Sequence, residues 1–313
     1  MQYKINKQLA SNLLMIRPCQ FFSNPQTADS NKFQGRSKLS EKELQEAALN
    51  EFDALVSKLR EADLNVYVFE DTPDPVTPDS VFPNNWVSFH SDGTVVLYPM
   101  EAENRRLERS IDVIDALRDQ HGFDVKKIID MICLEDKQEY LEGTGSMILD
   151  HMNKIAYACL SSRTHKNALL DFSKKMGFSP IPFCAKDALD SDVYHTNVIM
   201  SLGEKLAVLC EDAIPIDSEK KQVKDSLQST GHEIITISLD QMASFAGNVL
   251  EVISSSNEHL MLMSERAEKS LSKKQKSTIE NYCRIVSSPI QNIEDSAGGS
   301  VRCMIAEISL PRK

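Results

Sequence analysis

The chain has 313 residues, 41% of them apolar and 26% charged, which fits an ordinary folded protein with a sizeable core and argues against extensive disorder. A formal net charge of -11 argues against affinity for nucleic-acid phosphates or anionic lipid, both of which need clustered Lys and Arg, and favours a small-molecule partner. Near the start the longest apolar run, Leu13 to Ile16, is far too short for a secretory core or a membrane span, so a cytoplasmic protein is expected.

In chain order, Ser40 and Glu43 form a capping box, and Leu44, Ala48, Leu55 and Leu59 recur at helical spacing, predicting a helix to about Arg60 and then a strand from Val66 to Phe69. An amphipathic stretch from Glu103 to Gln120 predicts a second helix that stops at Gly122 before a strand at Val125 to Ile129. A hairpin of Ser146 to Leu149 with Ile155 to Cys159 precedes a helix from Thr164 to Met176, Gly177 and a strand from Phe178 to Phe183. The pattern recurs with a hairpin of Val198 to Ser201 and Leu206 to Cys210 turning at Gly203-Glu204, a helix from Ser218 to Gln228, Gly231 and a strand from Glu233 to Ile237. A helix near Ser270 to Tyr282 and strands at Cys283 to Val286 and Val301 to Ser309 complete about five strand-rich units. The helix-ending glycines fall 55 and 54 residues apart, which points to an internal repeat and a repeating α/β array rather than a doubly wound parallel sheet. Length leaves one or two domains open. Neither GxGxxG nor GxxxxGK[ST] is present, so no nucleotide cofactor is expected.

Cys19, Cys133, Cys159, Cys184, Cys210, Cys283 and Cys303 are odd in number and scattered, without the CxxC pairing of a zinc or redox site, so neither a disulfide framework nor a metal is expected. Three segments place reactive groups beside glycines or at strand ends: LEGTGSMIL around Glu142, VYHTNVIM around His195 and GGSVRCMIAEI around Cys303. Each alone has a bland explanation as a turn acid, a structural imidazole or a packed thiol. Together they suit attack by a thiolate on a resonance-stabilised carbon flanked by nitrogens, with His moving protons and a carboxylate aligning the bound group.

The order LEGTG, SxRT, HTN and GGSxRCM resembles the guanidino-group-modifying superfamily of arginine deiminases, dimethylarginine hydrolases and amidinotransferases. It is most similar to the citrulline-utilisation hydrolase branch, through MIRP at Met15 to Pro18, FPNNW at Phe82 to Trp86 and CLSSRT at Cys159 to Thr164. Matches run from Met15 to Pro311. The resemblance implies a single catalytic domain over residues 1–313, folded as a five-bladed pseudo-symmetric α/β propeller (pentein) of strand-strand-helix-strand units, with the active site on its axis. It implies Cys303 as nucleophile, His195 as general acid and base, Glu142 on the substrate nitrogens, and Arg163 on the substrate carboxylate, with no metal or organic cofactor.

Relatives carry a DxxFxxD-type segment whose last acid pairs with the guanidinium. Here Asp79 is retained, but Asn84 and Asn85 stand where relatives have charged residues, and Asn197 replaces the acid that deiminases place two residues after the catalytic His. A guanidinium stripped of such a partner is costly to bury, whereas an Asn amide complements the C=O and NH2 of a neutral ureido group. The reading that follows is attack by Cys303 on the ureido carbon of citrulline or a close analogue, giving ornithine, ammonia and carbon dioxide through an S-carbamoyl enzyme. Two alternatives stay open: the same residues acting on arginine or a substituted arginine as hydrolase, deiminase or amidinotransferase, and a non-catalytic amino-acid-binding propeller. No sequence argument places His90, Asn24 or Asn248, and oligomeric state is not legible.

Overall fold

A computed structural model of the protein describes residues 8–35 and 37–313. Among these residues fifteen strands form five three-stranded sheets. The first holds β1 (Asn12–Arg17) and β2 (Asn65–Glu70), the second β3 (Val87–Phe89), β4 (Thr94–Leu97) and β5 (Lys127–Asp130), and the third β6 (Ile148–Asp150), β7 (Ile155–Cys159) and β8 (Ser179–Phe183). The fourth holds β9 (Met200–Leu202), β10 (Leu206–Leu209) and β11 (Glu233–Thr236), and the fifth β12 (Leu250–Ile253), β13 (His259–Ser264) and β14 (Arg284–Ser288). The first sheet takes its third strand, β15 (Ala306–Glu307), from the far end of the chain, where Leu13 faces Glu307 and Leu14 faces Ala306.

In every sheet the middle strand pairs antiparallel on one side and parallel on the other. Parallel neighbours need a crossover, and helices Glu41–Glu61, Ile111–Asp119, Lys166–Met176, Asp217–Ser229 and Lys273–Glu280 supply one per sheet. The first is fixed by the predicted Ser40–Glu43 capping box and buries Leu44, Ala48, Phe52, Leu55, Val56 and Leu59. Gly122, Gly177 and Gly231 take left-handed φ values of 69°, 71° and 85°, the reversal that their repeat spacing predicted.

Apolar side chains pack between successive sheets. Leu14 and Ile16 of the first sheet share one cluster with Val87 and Leu97 of the second; Val96 and Ile129 of the second share another with Leu149 and Ala156 of the third. Tyr157 of the third packs with Val208 of the fourth and Met263 of the fifth, and Val252 and Leu262 of the fifth pack with Leu13 and Met15 of the first. Each sheet thereby buries its faces against neighbours.

Some expected elements differ. The helix predicted over Glu103 to Gln120 is two, Glu103–Arg106 and Ile111–Asp119, because Ser110 turns outward and accepts the Val113 amide, restarting the helix. The helix expected near Ser270 to Tyr282 is Lys273–Glu280, started by the Ser272–Gln275 capping box, and a short unpredicted helix, Glu265–Ser270, precedes it. The strand expected over Val301 to Ser309 shrinks to Ala306–Glu307, since Cys303 and Met304 donate their amides to Ser300 O and the chain turns there. Strands β1, β3, β4, β12 and β13 had no predicted counterpart.

Candidate active site

Glu142 follows Leu141 into a one-turn helix, Gly143–Ser146. Its backbone is pinned from both directions: Glu142 N donates to Ser146 Oγ at 2.8 Å, and Ser146 Oγ donates to Arg163 O at 2.9 Å. The glycines of EGTG are close approaches. A Cβ on Gly143 (φ 49°) would collide with Asn84 O, and one on Gly145 would stand 2.7 Å from His195 Nδ1. The motif thus lets a carboxylate, an asparagine pair and an imidazole crowd one point.

His195 precedes another one-turn helix, Thr196–Ile199. Thr196 Oγ1 donates to Ser146 O at 2.5 Å and accepts the Cys159 amide at 2.6 Å, tying this element to the Glu142 turn and to β7. His195 Nε2 lies 2.9 Å from Glu142 Oε2. Burial opposes ionisation of Glu142, yet Arg163, the His195 hydrogen bond and Arg105 outweigh it and hold the acid down at about 2. Burial, assisted by Arg163 and Arg105 against Glu142, pushes His195 down to about 4. At neutral pH a carboxylate therefore faces a neutral imidazole. A carboxylate only accepts, so Nε2 carries the hydrogen and Nδ1 is the basic nitrogen.

Cys303 stands in the turn before β15, 3% exposed, and its Sγ accepts from Asn197 Nδ2 and Asn248 Nδ2, each at 3.2 Å. Asn248 Nδ2 also reaches Asn197 O at 3.0 Å. Two amide donors therefore point at one buried sulfur. Cys303 and His195 line a common cavity with Asp79, Asn85, Arg105, Arg163 and Tyr194.

The other sequence candidates are close by but differently engaged. Asp79 Oδ2 accepts from Asn24 Nδ2 at 2.7 Å, while its Oδ1 is buried without a protein donor. Asn85 has both ends of its amide taken: Oδ1 accepts from Arg105 Nη1 at 2.8 Å and Nδ2 donates to Asn84 Oδ1 at 3.0 Å. Only Asn84 Nδ2 remains unpartnered in that pair. Arg163 lies 3.6 Å from Glu142, stacks over Tyr194 at 4.9 Å, and donates to Ser30 Oγ at 2.8 Å and Thr27 O at 3.3 Å. The exposed ion pair that a lone arginine could have formed is thus replaced by a buried bracket between Glu142 and the segment around Thr27 to Ser30.

Arg105 and Glu108 were not read from the sequence. Arg105 is buried and grips Glu108 through Nε and Nη2, both at 2.9 Å, while lying 3.7 Å from Asp79 and 3.8 Å from Glu142. The only available signal was an ENRRLE run that reads equally well as a solvated helix face. Asn24 and Asn248 do reach the site, whereas His90 sits elsewhere, bonded to Ser88 Oγ at 2.8 Å beside His151. Among the described residues no His, Cys, Asp and Glu side chains gather as a metal-binding group, and no helix is long and apolar enough to cross a membrane.

Residues 17–310 match the family described as N,N dimethylarginine dimethylhydrolase, eukaryotic. No curated protein matches the chain in sequence. In structure the chain is similar to ArgZ, an arginine dihydrolase from the ornithine-ammonia cycle in cyanobacteria, with a TM-score of 0.73 and 17% identity over 96% of this chain, which spans 41% of ArgZ. The N-terminal domain of ArgZ bound to substrate gives a TM-score of 0.72 at 17% identity, with 94% of this chain and 96% of that domain covered. A dimethylarginine dimethylaminohydrolase carrying a 4-chloro-2-hydroxymethylpyridine adduct gives 0.63 at 16% identity, covering 96% of this chain and 99% of that one. The chain belongs to the N,N-dimethylarginine dimethylhydrolase family, within the guanidino-group-modifying superfamily of hydrolases that act on carbon–nitrogen bonds.

Proposed function

We propose that the protein is a cysteine-dependent hydrolase of the guanidino carbon of arginine or a substituted arginine, with Cys303 as nucleophile, His195 as general acid and base, and Glu142 holding the imidazole and the substrate nitrogens. One observation carries the choice of a guanidinium. Asp79 lines the cavity and its buried Oδ1 has no donor from the protein, a carboxylate oxygen left open to a substrate N–H. A cationic, donor-rich guanidinium supplies what is missing there; a ureido group adds an acceptor and no charge.

The citrulline reading relies on the asparagine amides, and that of Asn85 is already engaged by Arg105 at Oδ1 and by Asn84 at Nδ2. Family membership and the arginine dihydrolase and dimethylarginine hydrolase neighbours support the guanidino reading as well.

In the reaction, the Cys303 thiol gives its proton to His195 and Sγ attacks the guanidino carbon. The bond to a terminal nitrogen breaks as His195 returns the proton to it, releasing ammonia or an amine and leaving an S-alkylthiouronium enzyme. Water then adds to the same carbon, His195 takes its proton, and the carbon–sulfur bond breaks to free a ureido product. Cys303, His195 and Glu142 are 3%, 2% and 0% exposed, so part of the cavity wall must move for substrate to enter.

The five sheets with shared clusters support a ring of five blades forming one catalytic domain over residues 1–313, and seven free thiols fit a reducing cytoplasm. The test is incubation of the protein and of Cys303→Ser with arginine, methylated arginines and citrulline, with mass spectrometry of products and protein. A ureido product from an arginine derivative, absent with Cys303→Ser, is expected. Ornithine and ammonia from citrulline alone would restore the ureido reading, and tight binding without turnover would indicate a binding protein.

A further inference from the structure

The helix Gln291–Ala297 immediately precedes the GGS turn, and an unusual set of bonds converges on it. At its start, Glu51 from the long helix Glu41–Glu61 accepts the Asn292 and Ile293 amides at 2.9 and 3.0 Å. In its middle lies Glu294, 1% exposed, on a stretch whose other buried members include Ile293 and Ala297. Glu294 Oε1 accepts from Ser300 Oγ at 2.6 Å, and Glu294 Oε2 lies 3.2 Å from Arg266 Nε. Ser300 O in turn accepts the Cys303 amide at 2.9 Å and the Met304 amide at 3.3 Å. Burial raises the Glu294 carboxyl above its ordinary range, so an acid here is costly where an apolar residue would satisfy packing alone.

The same helix carries the covering segment. Asn31 Nδ2 donates to Ala297 O at 3.0 Å, and Gly35 N donates to Asp295 O at 2.8 Å. One short helix therefore holds the turn that carries the sulfur and anchors the segment whose Asn31 lines the same cavity.

We infer that Glu294 is a positioning residue for the reaction: through Ser300 it sets the turn that presents Cys303 Sγ to the substrate carbon. This rests on the reading of Cys303 as nucleophile. Glu294 touches no reacting atom, and its effect falls on alignment rather than on substrate affinity.

Steady-state kinetics on Glu294→Ala, Glu294→Gln and Ser300→Ala test it. Because a displacement of about 1 Å costs on the order of 10²-fold in rate, Glu294→Ala and Ser300→Ala are each expected to lower kcat by about tenfold or more with KM within about threefold. Glu294→Gln, whose amide oxygen still accepts from Ser300, is expected to recover most of the loss. A kcat within about threefold of the parent for Ser300→Ala, a KM that rises as kcat falls, or a Gln variant no better than Ala overturns the proposal. Ser300→Ala deletes one hydroxyl and decides the matter if Glu294→Ala melts early or does not fold. The rate of Cys303 alkylation by iodoacetamide, read on the peptide by mass spectrometry, needs no substrate. It is expected to differ between the parent and Ser300→Ala, and equal rates overturn the positioning role. Persistent turnover in Cys303→Ser instead refutes the nucleophile reading, so the two failures are separable.

Discussion

Glu142 Oε2 sits 2.9 Å from His195 Nε2, and the same oxygen is within 4 Å of both Arg163 and Arg105. One carboxylate oxygen thereby orients the imidazole and balances two guanidinium groups. Replacing Glu142 with Gln keeps the volume but removes the charge. The expected loss in kcat is on the order of 10²- to 10⁴-fold, the usual worth of a positioned acid–base pair. An unchanged kcat in steady-state assays would remove Glu142 from the machinery.

The pH profile follows from the neutral state of His195. For the imidazole to accept the thiol proton it must be unprotonated in the free protein, and burial first of all holds it down to about 4. Falling pH therefore abolishes the base only near pH 4, and the acid limb of kcat/KM is expected there rather than near the ordinary histidine value of about 6.5. A profile with its acid midpoint at the ordinary value would contradict the neutral, carboxylate-bound imidazole.

Two left-handed glycines separate strain from contact. At Gly177 (φ 71°) an added methyl would meet nothing within 4 Å, so Gly177→Ala is expected to cost about 1–2 kcal/mol of stability with normal kinetics. At Gly298 (φ 65°) the added carbon would stand 2.6 Å from Gln34 N and 2.7 Å from Asn31 Nδ2. Gly298→Ala is expected to carry the same backbone penalty and, in addition, to lift the covering segment and lower kcat/KM. Urea titrations with parallel kinetics distinguish the two; identical behaviour would show that the segment does not depend on this contact.

Ligand choice can be read without catalysis in Cys303→Ser. Saturating ligand at about 100 times its Kd stabilises by roughly 2.7 kcal/mol. Arginine or a methylated arginine is expected to raise the melting temperature and citrulline to raise it less, because a cationic donor best answers the open Asp79 Oδ1. The reverse order would favour the ureido substrate.

The sequence exposes what is local and leaves obscure what is assembled at a distance. The crossover helices are legible because each carries an amphipathic stripe and three end in glycine, and Glu142, His195 and Cys303 stand out because reactive groups interrupt apolar patterns beside glycines. Short strands such as Val87–Phe89 are lost because three buried residues show no period. Arg105 is lost because its buried state depends on partners at 79, 85, 108 and 142, and nothing within its own helix announces them. The FPNNW segment draws attention to Asn85, but not to its bonds with Arg105 and Asn84. Nothing local announces that Arg163 also bonds Ser30 and Thr27, which lie more than 130 residues away in the chain.

The pairing of β1 with β15 joins residues nearly three hundred positions apart, and the Cys303 sulfur lies only a few residues upstream of that seam. During synthesis four sheets can mature while this one waits for its last strand. The thiol thus meets its amide donors from 197 and 248 only once the turn that carries it has packed against the elements that hold them. A chain arrested before residue 306 would carry four complete sheets and lack the strand that completes the first.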